Sequence, residues 1–273
     1  TYGQLVQTVE LYAAYFYTMG IRQSDNVGLM SKNSPEYVYA YMALAKLGAV
    51  IVPINSHFIG REIAYIIQDA GIKHFVTQQL EAIDEPLQKK YGYMQPVMQL
   101  VLSEISANCT KIILSAPVKP NITAASPCVI IYTSGTTGNP KGAVLSHNNL
   151  IANVRQVFES HRIPLTSTDN TLVVLPMYHC FAWTCTVLGP LYEGASMTVV
   201  DTLNLKDMLR AIKDCKVTVL FAVPSIFNLF QTHAAAEDFK YIRMSVSGGA
   251  TLPESVAQKY TAKFGHQIME GYG

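Results

Sequence analysis

Val129-Ile130-Ile131-Tyr132-Thr133-Ser134-Gly135-Thr136-Thr137-Gly138-Asn139-Pro140-Lys141-Gly142-Ala143-Val144-Leu145 places two apolar runs around a polar stretch of hydroxyls, glycines and one lysine. The flanks Val129-Ile130-Ile131 and Ala143-Val144-Leu145 read as strands. The polar stretch between them then forms a tight connection, whose glycines let backbone N–H groups turn inward around anionic oxygens. Ser134, Thr136 and Thr137 add hydroxyl donors, and Lys141 adds a positive charge. The spacing is not that of a Walker A loop, which runs G-x-x-x-x-G-K-[ST] into a helix; here Asn139-Pro140 separates Gly138 from Lys141. The plain alternative is an ordinary Gly/Ser/Thr hairpin.

Outward from this loop, helix and strand patterns alternate. Leu5, Val9, Tyr12 and Phe16 recur at helical spacing and stop at Gly20; Ser34-Pro35-Glu36 opens a second helix running to Gly48. Val50-Ile51-Val52 reads as a buried strand, residues 61–70 as a helix stopped by Gly71, and His74 to Thr77 as the next strand. Residues 81–115 carry no clear pattern, and Pro117-Val118-Lys119-Pro120 with residues 121–127 reads as an exposed connector. After the loop, a helix is expected over 147–162 and strands over 171–176, 197–200 and 217–223, with helices between. Short apolar strands alternating with helices give an α/β fold with mostly parallel sheets covered on both faces.

Composition narrows the function classes. The chain has 273 residues, a formal charge of +1 and 14% charged side chains, against a usual charged fraction of about 25%. A near-neutral chain without a long Lys/Arg run is not a general nucleic-acid-binding surface, so anion binding has to be local. Cys109, Cys128, Cys180, Cys185 and Cys215 show no C-x-x-C spacing and are odd in number, which suggests neither a zinc site nor a disulfide framework. Apolar stretches such as 47–54 and 217–230 are too short or too interrupted to span a bilayer, which takes about 20 residues. A cytoplasmic enzyme is the expectation.

The run from Tyr132 to Gly142 resembles, residue for residue, the phosphate-binding signature of the adenylate-forming superfamily: acyl-CoA synthetases, aryl-CoA ligases, beetle luciferases and the adenylation domains of peptide synthetases. Three further segments agree. Leu175-Pro176-Met177-Tyr178-His179-Cys180-Phe181-Ala182-Trp183 sets a histidine among apolar side chains. A lone histidine there is more often a satisfied core residue than a functional one, but the resemblance places His179 between the acyl pocket and the reacting carboxylate. Amino-acid-activating members usually carry an aspartate in this motif, so its absence argues against an amino-acid substrate. Ser247-Gly248-Gly249-Ala250-Thr251-Leu252-Pro253 resembles the adenine-contacting loop, with Thr251 and Pro253 suited to a helix start. In Glu270-Gly271-Tyr272-Gly273 the tyrosine would cover the other face of the purine. Phe221-Ala222-Val223-Pro224-Ser225 resembles a segment lining the acyl site.

The resemblance covers nearly the whole chain and implies the large N-terminal domain of these enzymes, two stacked α/β subdomains. One would be about 26–165 and the other about 1–25 with 166–273, with ligands in the cleft between them and the small C-terminal domain absent. It also implies ATP-dependent activation of a carboxylic acid to an acyl-adenylate, then thioester formation with coenzyme A. Thr133, Ser134, Gly135, Thr136, Thr137, Gly138 and Lys141 would hold the phosphates, with Mg²⁺, while Gly248, Gly249, Ala250, Glu270, Gly271 and Tyr272 would hold the adenosine. Lys141 and His179 are the expected catalytic residues, and Phe181, Trp183 and Val223 the expected walls for the acid. No side chain present is assigned to a metal. The motif versions look closer to medium- and long-chain fatty acid ligases, which would bring peripheral membrane contact. An aryl-CoA ligase is the nearest alternative, and a nucleotide-binding fragment without turnover is the second.

Overall fold

The computed structural model describes residues 1–81, 83, 85, 89–90, 97–112, 120–133, 140–159 and 163–271. The chain divides into two compact units, Thr1–Ile151 and Ala152–Gly273.

The first unit is built on a six-stranded sheet ordered β4-β3-β1-β2-β5-β6. Its strands are β1 (Asn26–Met30), β2 (Val50–Pro53), β3 (His74–Thr77), β4 (Met98–Val101), β5 (Pro127–Thr133) and β6 (Lys141–Ser146). All pairs are parallel except β5 with β6, an antiparallel ladder whose last rungs are Tyr132 opposite Gly142 and Thr133 opposite Lys141. The helices are α1 (Tyr2–Thr18), α2 (Pro35–Lys46), α3 (Gly60–Ala70) and α4 (Leu102–Asn108), while α5 (His147–Phe158) begins in this unit and ends in the second, where Val154 and Phe158 join a core with Phe221 and Met244. Their starts follow the chain chemistry: Thr1 and Gln4 form a reciprocal cap on α1, and Ser34 accepts the Tyr37 amide ahead of Pro35 on α2. Ile63, Ala64, Ile66 and Ile67 of α3 bury one stripe against Val50, Val52, Ile54 and Ile130 of the sheet.

Residues 1–25, grouped on sequence with the second subdomain, lie in the first unit: α1 packs on α2, and Tyr12 Oη bonds Ser106 Oγ on α4. Burial decides this, since Tyr12, Ala13 and Phe16 are all buried on that stripe. In this unit the structure also adds two strands that the sequence did not reveal, β1 and β4. Glycine interrupts the apolar run of β1, and only four residues of β4 pair. The helix expected over 147–162 runs from His147 to Phe158; residues 160–162 and 113–119 lie outside the described residues.

The second unit holds a five-stranded, wholly parallel sheet ordered β11-β10-β9-β7-β8. The strands are β7 (Asn170–Val173), β8 (Ser196–Val199), β9 (Val219–Ala222), β10 (Met244–Ser247) and β11 (Ile268–Glu270). After β7 comes α6 (Cys180–Ala182), continued by a π-helical stretch at Trp183–Leu188 and by α7 (Gly189–Glu193). The others are α8 (Leu205–Asp214), α9 (Pro224–His233) and α10 (Glu254–Phe264). One core joins Leu172, Leu220, Phe227, Phe230, Phe239 and Tyr260, with the Phe239 and Phe264 rings stacked at 4.2 Å. At the N-terminal edge of the sheet, Asp169 is 3% exposed and takes both Nε and Nη2 of Arg243, together with the Thr218 hydroxyl. That clamp ties together the starts of β7, β9 and β10.

Candidate active site

The carboxyl ends of parallel strands are where open α/β sheets bind ligands, because the loops that leave them are free to diverge. In the second unit the sequence-selected residues collect there. Val223 directly follows β9, Gly248 follows β10 and Gly271 follows β11, while the histidine motif is the loop that leaves β7.

His179 is exposed, as the N-cap of α6. The core-histidine alternative required it to be buried. Its Nδ1 accepts the Phe181 amide at 3.2 Å, so a neutral ring carries its proton on Nε2 and offers a donor to the solvent side. Its carbonyl accepts the Trp183 amide at 2.9 Å, so the ring stands on a started helical turn. Tyr178 is half-buried, and burial pushes its hydroxyl up from the ordinary value.

The glycine pair explains how the histidine motif and the next loop meet. A Cβ at Gly248 would lie 2.8 Å from the Phe181 ring, so only glycine lets that ring rest on the backbone. Gly249 adopts φ +79°, the left-handed region glycine enters without cost, and a Cβ there would face Val223 at 3.5 Å. Gly248 N–H donates to Ala222 O at 3.2 Å and Gly271 N–H to Ser247 O at 2.8 Å, extending the sheet's pairing into both loops. Ala250 and Glu270 are exposed, and the Glu270 carboxylate accepts the Leu252 amide at 2.8 Å. Glu270 thus braces the 248–253 loop, a part its sequence position did not reveal. Trp183 is 5% exposed and sits within the π-helical stretch. Phe181 and Val223 are half-buried beside the glycines.

In the first unit, Thr133 and Lys141 face each other at the end of the β5–β6 ladder, both exposed. Ser134, Gly135, Thr136, Thr137 and Gly138 lie outside the described residues, as does Tyr272. The Lys141 ammonium pairs with no carboxylate among the described residues. The described residues bring together no group of three His, Cys, Asp or Glu side chains able to hold a metal.

Comparison with known proteins converges on one family. The chain matches the AMP-binding enzyme family over residues 1–273, and it belongs to that family. It is 30% identical to 4-coumarate–CoA ligase 1 of Arabidopsis thaliana over all of this chain and 52% of that protein. Among solved structures it resembles the inhibitor-bound N-terminal domain of FACL13 from Mycobacterium tuberculosis, with TM-score 0.85 and 26% identity over all of this chain and 68% of that one. It also resembles ATP-bound MatB from Rhodopseudomonas palustris, with TM-score 0.86 and 25% identity over all of this chain and 54% of that one. The chain therefore spans about half the length of the curated relatives it matches. Among the described residues no helix is long and apolar enough to cross a membrane.

Proposed function

We propose that this chain carries the nucleotide- and acid-binding parts of an AMP-forming acid–thiol ligase. It would activate a carboxylic acid with ATP to an acyl-adenylate, releasing pyrophosphate, and coenzyme A would then take the acyl group as a thioester. The observation that carries this reading is the gathering of exposed His179 and Gly249, buried Gly248 and braced Glu270 at the carboxyl edge of one parallel sheet. A family whose relatives include a CoA ligase and an ATP-bound structure supports it.

The chemistry sets what each residue has to do. A carboxylate must approach the α-phosphorus of ATP, and the two anions repel. The Lys141 ammonium and the backbone of the 133–138 loop would neutralise the triphosphate and stabilise charge on the departing pyrophosphate. The Nε2–H of His179 would hold the carboxylate in line with that leaving group, which is a positioning task. Gly248, Gly249 and Ala250 would admit a flat purine against the backbone. Phe181, Trp183 and Val223 would line the acid's side of the site. Mg²⁺, when present, would supply further positive charge on the phosphates. A cytoplasmic location belongs to the same proposal.

The finer substrate reading is a medium- or long-chain fatty acid. A second reading, an aryl acid, is favoured by the likeness to a 4-coumarate–CoA ligase. Carboxylate-dependent ATP–pyrophosphate exchange, run with short, medium and long fatty acids, an aryl acid and amino acids, separates them. Exchange with fatty acids alone is the expected result, and exchange with the aryl acid alone moves the assignment to the second reading. Silence across the panel from folded protein makes the chain a nucleotide-binding unit without turnover.

A further inference from the structure

Helix α3 reaches the hairpin that bears Lys141 through two tyrosines. The Tyr65 hydroxyl donates to Pro140 O at 3.0 Å, and the Tyr132 hydroxyl donates to Asp69 Oδ2 at 2.5 Å. Tyr65 and Asp69 are one helical turn apart on α3 and so share a face. The β5–β6 ladder ends at Thr133 opposite Lys141, and Tyr65 takes the first carbonyl beyond that end, on the residue that precedes Lys141. Tyr132, one rung inside, lies across Gly142: a Cβ at Gly142 would meet the Tyr132 ring at 3.1 Å and Ile130 at 2.7 Å. Both hydrogen bonds therefore fall at the root of the polar connection rather than in the middle of the sheet. Antiparallel strand pairs twist and fray at their ends, and the two tyrosine hydrogen bonds fall at the last rung described for this ladder. A lysine on a flexible stem delivers its charge only as accurately as its backbone is held.

We propose that Tyr65, Asp69 and Tyr132 are positioning residues that fix the Lys141 end of the hairpin, so that polyphosphate affinity depends on helix α3. The proposal rests on the reading of this hairpin as a phosphate site. None of the three touches the phosphates; they act through Lys141.

The test is equilibrium titration of inorganic tripolyphosphate, and in parallel of ATP, into the 273-residue chain, with amide exchange at Lys141 and Gly142 followed in the same samples. Loss of one hydrogen bond of this kind is expected to weaken binding about fivefold in Tyr65→Phe and Tyr132→Phe, with faster exchange at both amides. Asp69→Ala should behave likewise, and Asp69→Asn, which keeps an acceptor for Tyr132, should recover most of what Asp69→Ala loses. The decisive sample is Tyr65→Phe combined with Lys141→Ala. If Tyr65 acts through Lys141, Tyr65→Phe adds no further loss once Lys141→Ala is in place. Equal loss in both backgrounds would mean general weakening of the fold and would overturn the positioning role, as would unchanged affinity and exchange in Tyr65→Phe. Should the unsubstituted chain bind tripolyphosphate no better than Lys141→Ala does, the phosphate-site reading itself fails and takes this inference with it.

Discussion

Exposure of His179 makes a clean substitution possible. Removing an exposed side chain away from the core usually changes stability by less than about 0.5 kcal/mol, so His179→Ala is expected to keep the folded circular dichroism spectrum. What it should lose is use of the acid: the KM for the carboxylate rises while ATP affinity holds, measured by pyrophosphate exchange at varied concentrations of each. Collapse of the fold instead would restore the core-histidine interpretation. For Lys141→Ala the expected loss in acyl-adenylate formation is about 10²-fold, the scale of one preorganised charge contact, and rates equal to wild type would remove it from the mechanism. Gly248→Ala should act through Phe181, since its methyl would meet that ring at 2.8 Å. Overpacking of this kind costs about 1–3 kcal/mol, readable as a lowered urea midpoint. Residues of this sort were legible in the sequence because their types are rare in such patterns: a histidine in an apolar run, paired glycines after a strand. The brace from Glu270 to Leu252 was not, since residues 18 apart in sequence meet only once β10 and β11 are paired.

Between elements, the clamp at the amino edge of the second sheet makes a pH-dependent prediction. Burial pushes the Asp169 carboxyl up, but hydrogen bonds from Arg243, Thr218 and Thr166 outweigh it and bring it from 3.8 down to about 2. A carboxylate whose folded value is depressed contributes stability above its unfolded value. That contribution is lost as pH falls from about 3.8 through about 2, because the unfolded chain then binds the extra proton. Arg243→Ala, which strands a buried carboxylate, should cost about 2–3 kcal/mol at neutral pH. This lies at the lower end for a broken buried pair because the arginine is half-exposed. Denaturant midpoints between pH 7 and 2 test both statements: the variant should start lower and show a flatter decline. Helix patterning was the most legible level of the fold. The α2 and α3 spans, with their Pro35 start and Gly71 stop, agree with spacing and caps to within a residue or two. Four-residue strands such as β4 were not legible, because so short a run has no period to read and only its partner β3 defines it.

Across the whole chain, the alternation of short apolar strands with helices was enough to give mostly parallel sheets, and both sheets bear this out. Grouping of segments into units was harder, since α1 is assigned by which buried face its tyrosine and phenylalanine meet, information that sequence order does not carry. The same distribution of burial sets a chemical fingerprint. Cys109, Cys128 and Cys185 are buried, with burial pushing the Cys128 thiol up to about 11 and the Cys185 thiol up to about 12, whereas Cys180 and Cys215 are exposed. Thiolates react and buried thiols do not, so an alkylating reagent should label the native protein at Cys180 and Cys215 and the unfolded protein at all five. Cys180 stands next to His179, and Cys215 ends α8 at the far edge of the sheet, beside the start of β7. The pair is therefore a built-in ratiometric reporter. A molecule that occupies the histidine site should slow labelling of Cys180 and leave Cys215 as the internal clock, so mass spectrometry of an unmodified sample can screen acids for binding without any turnover assay.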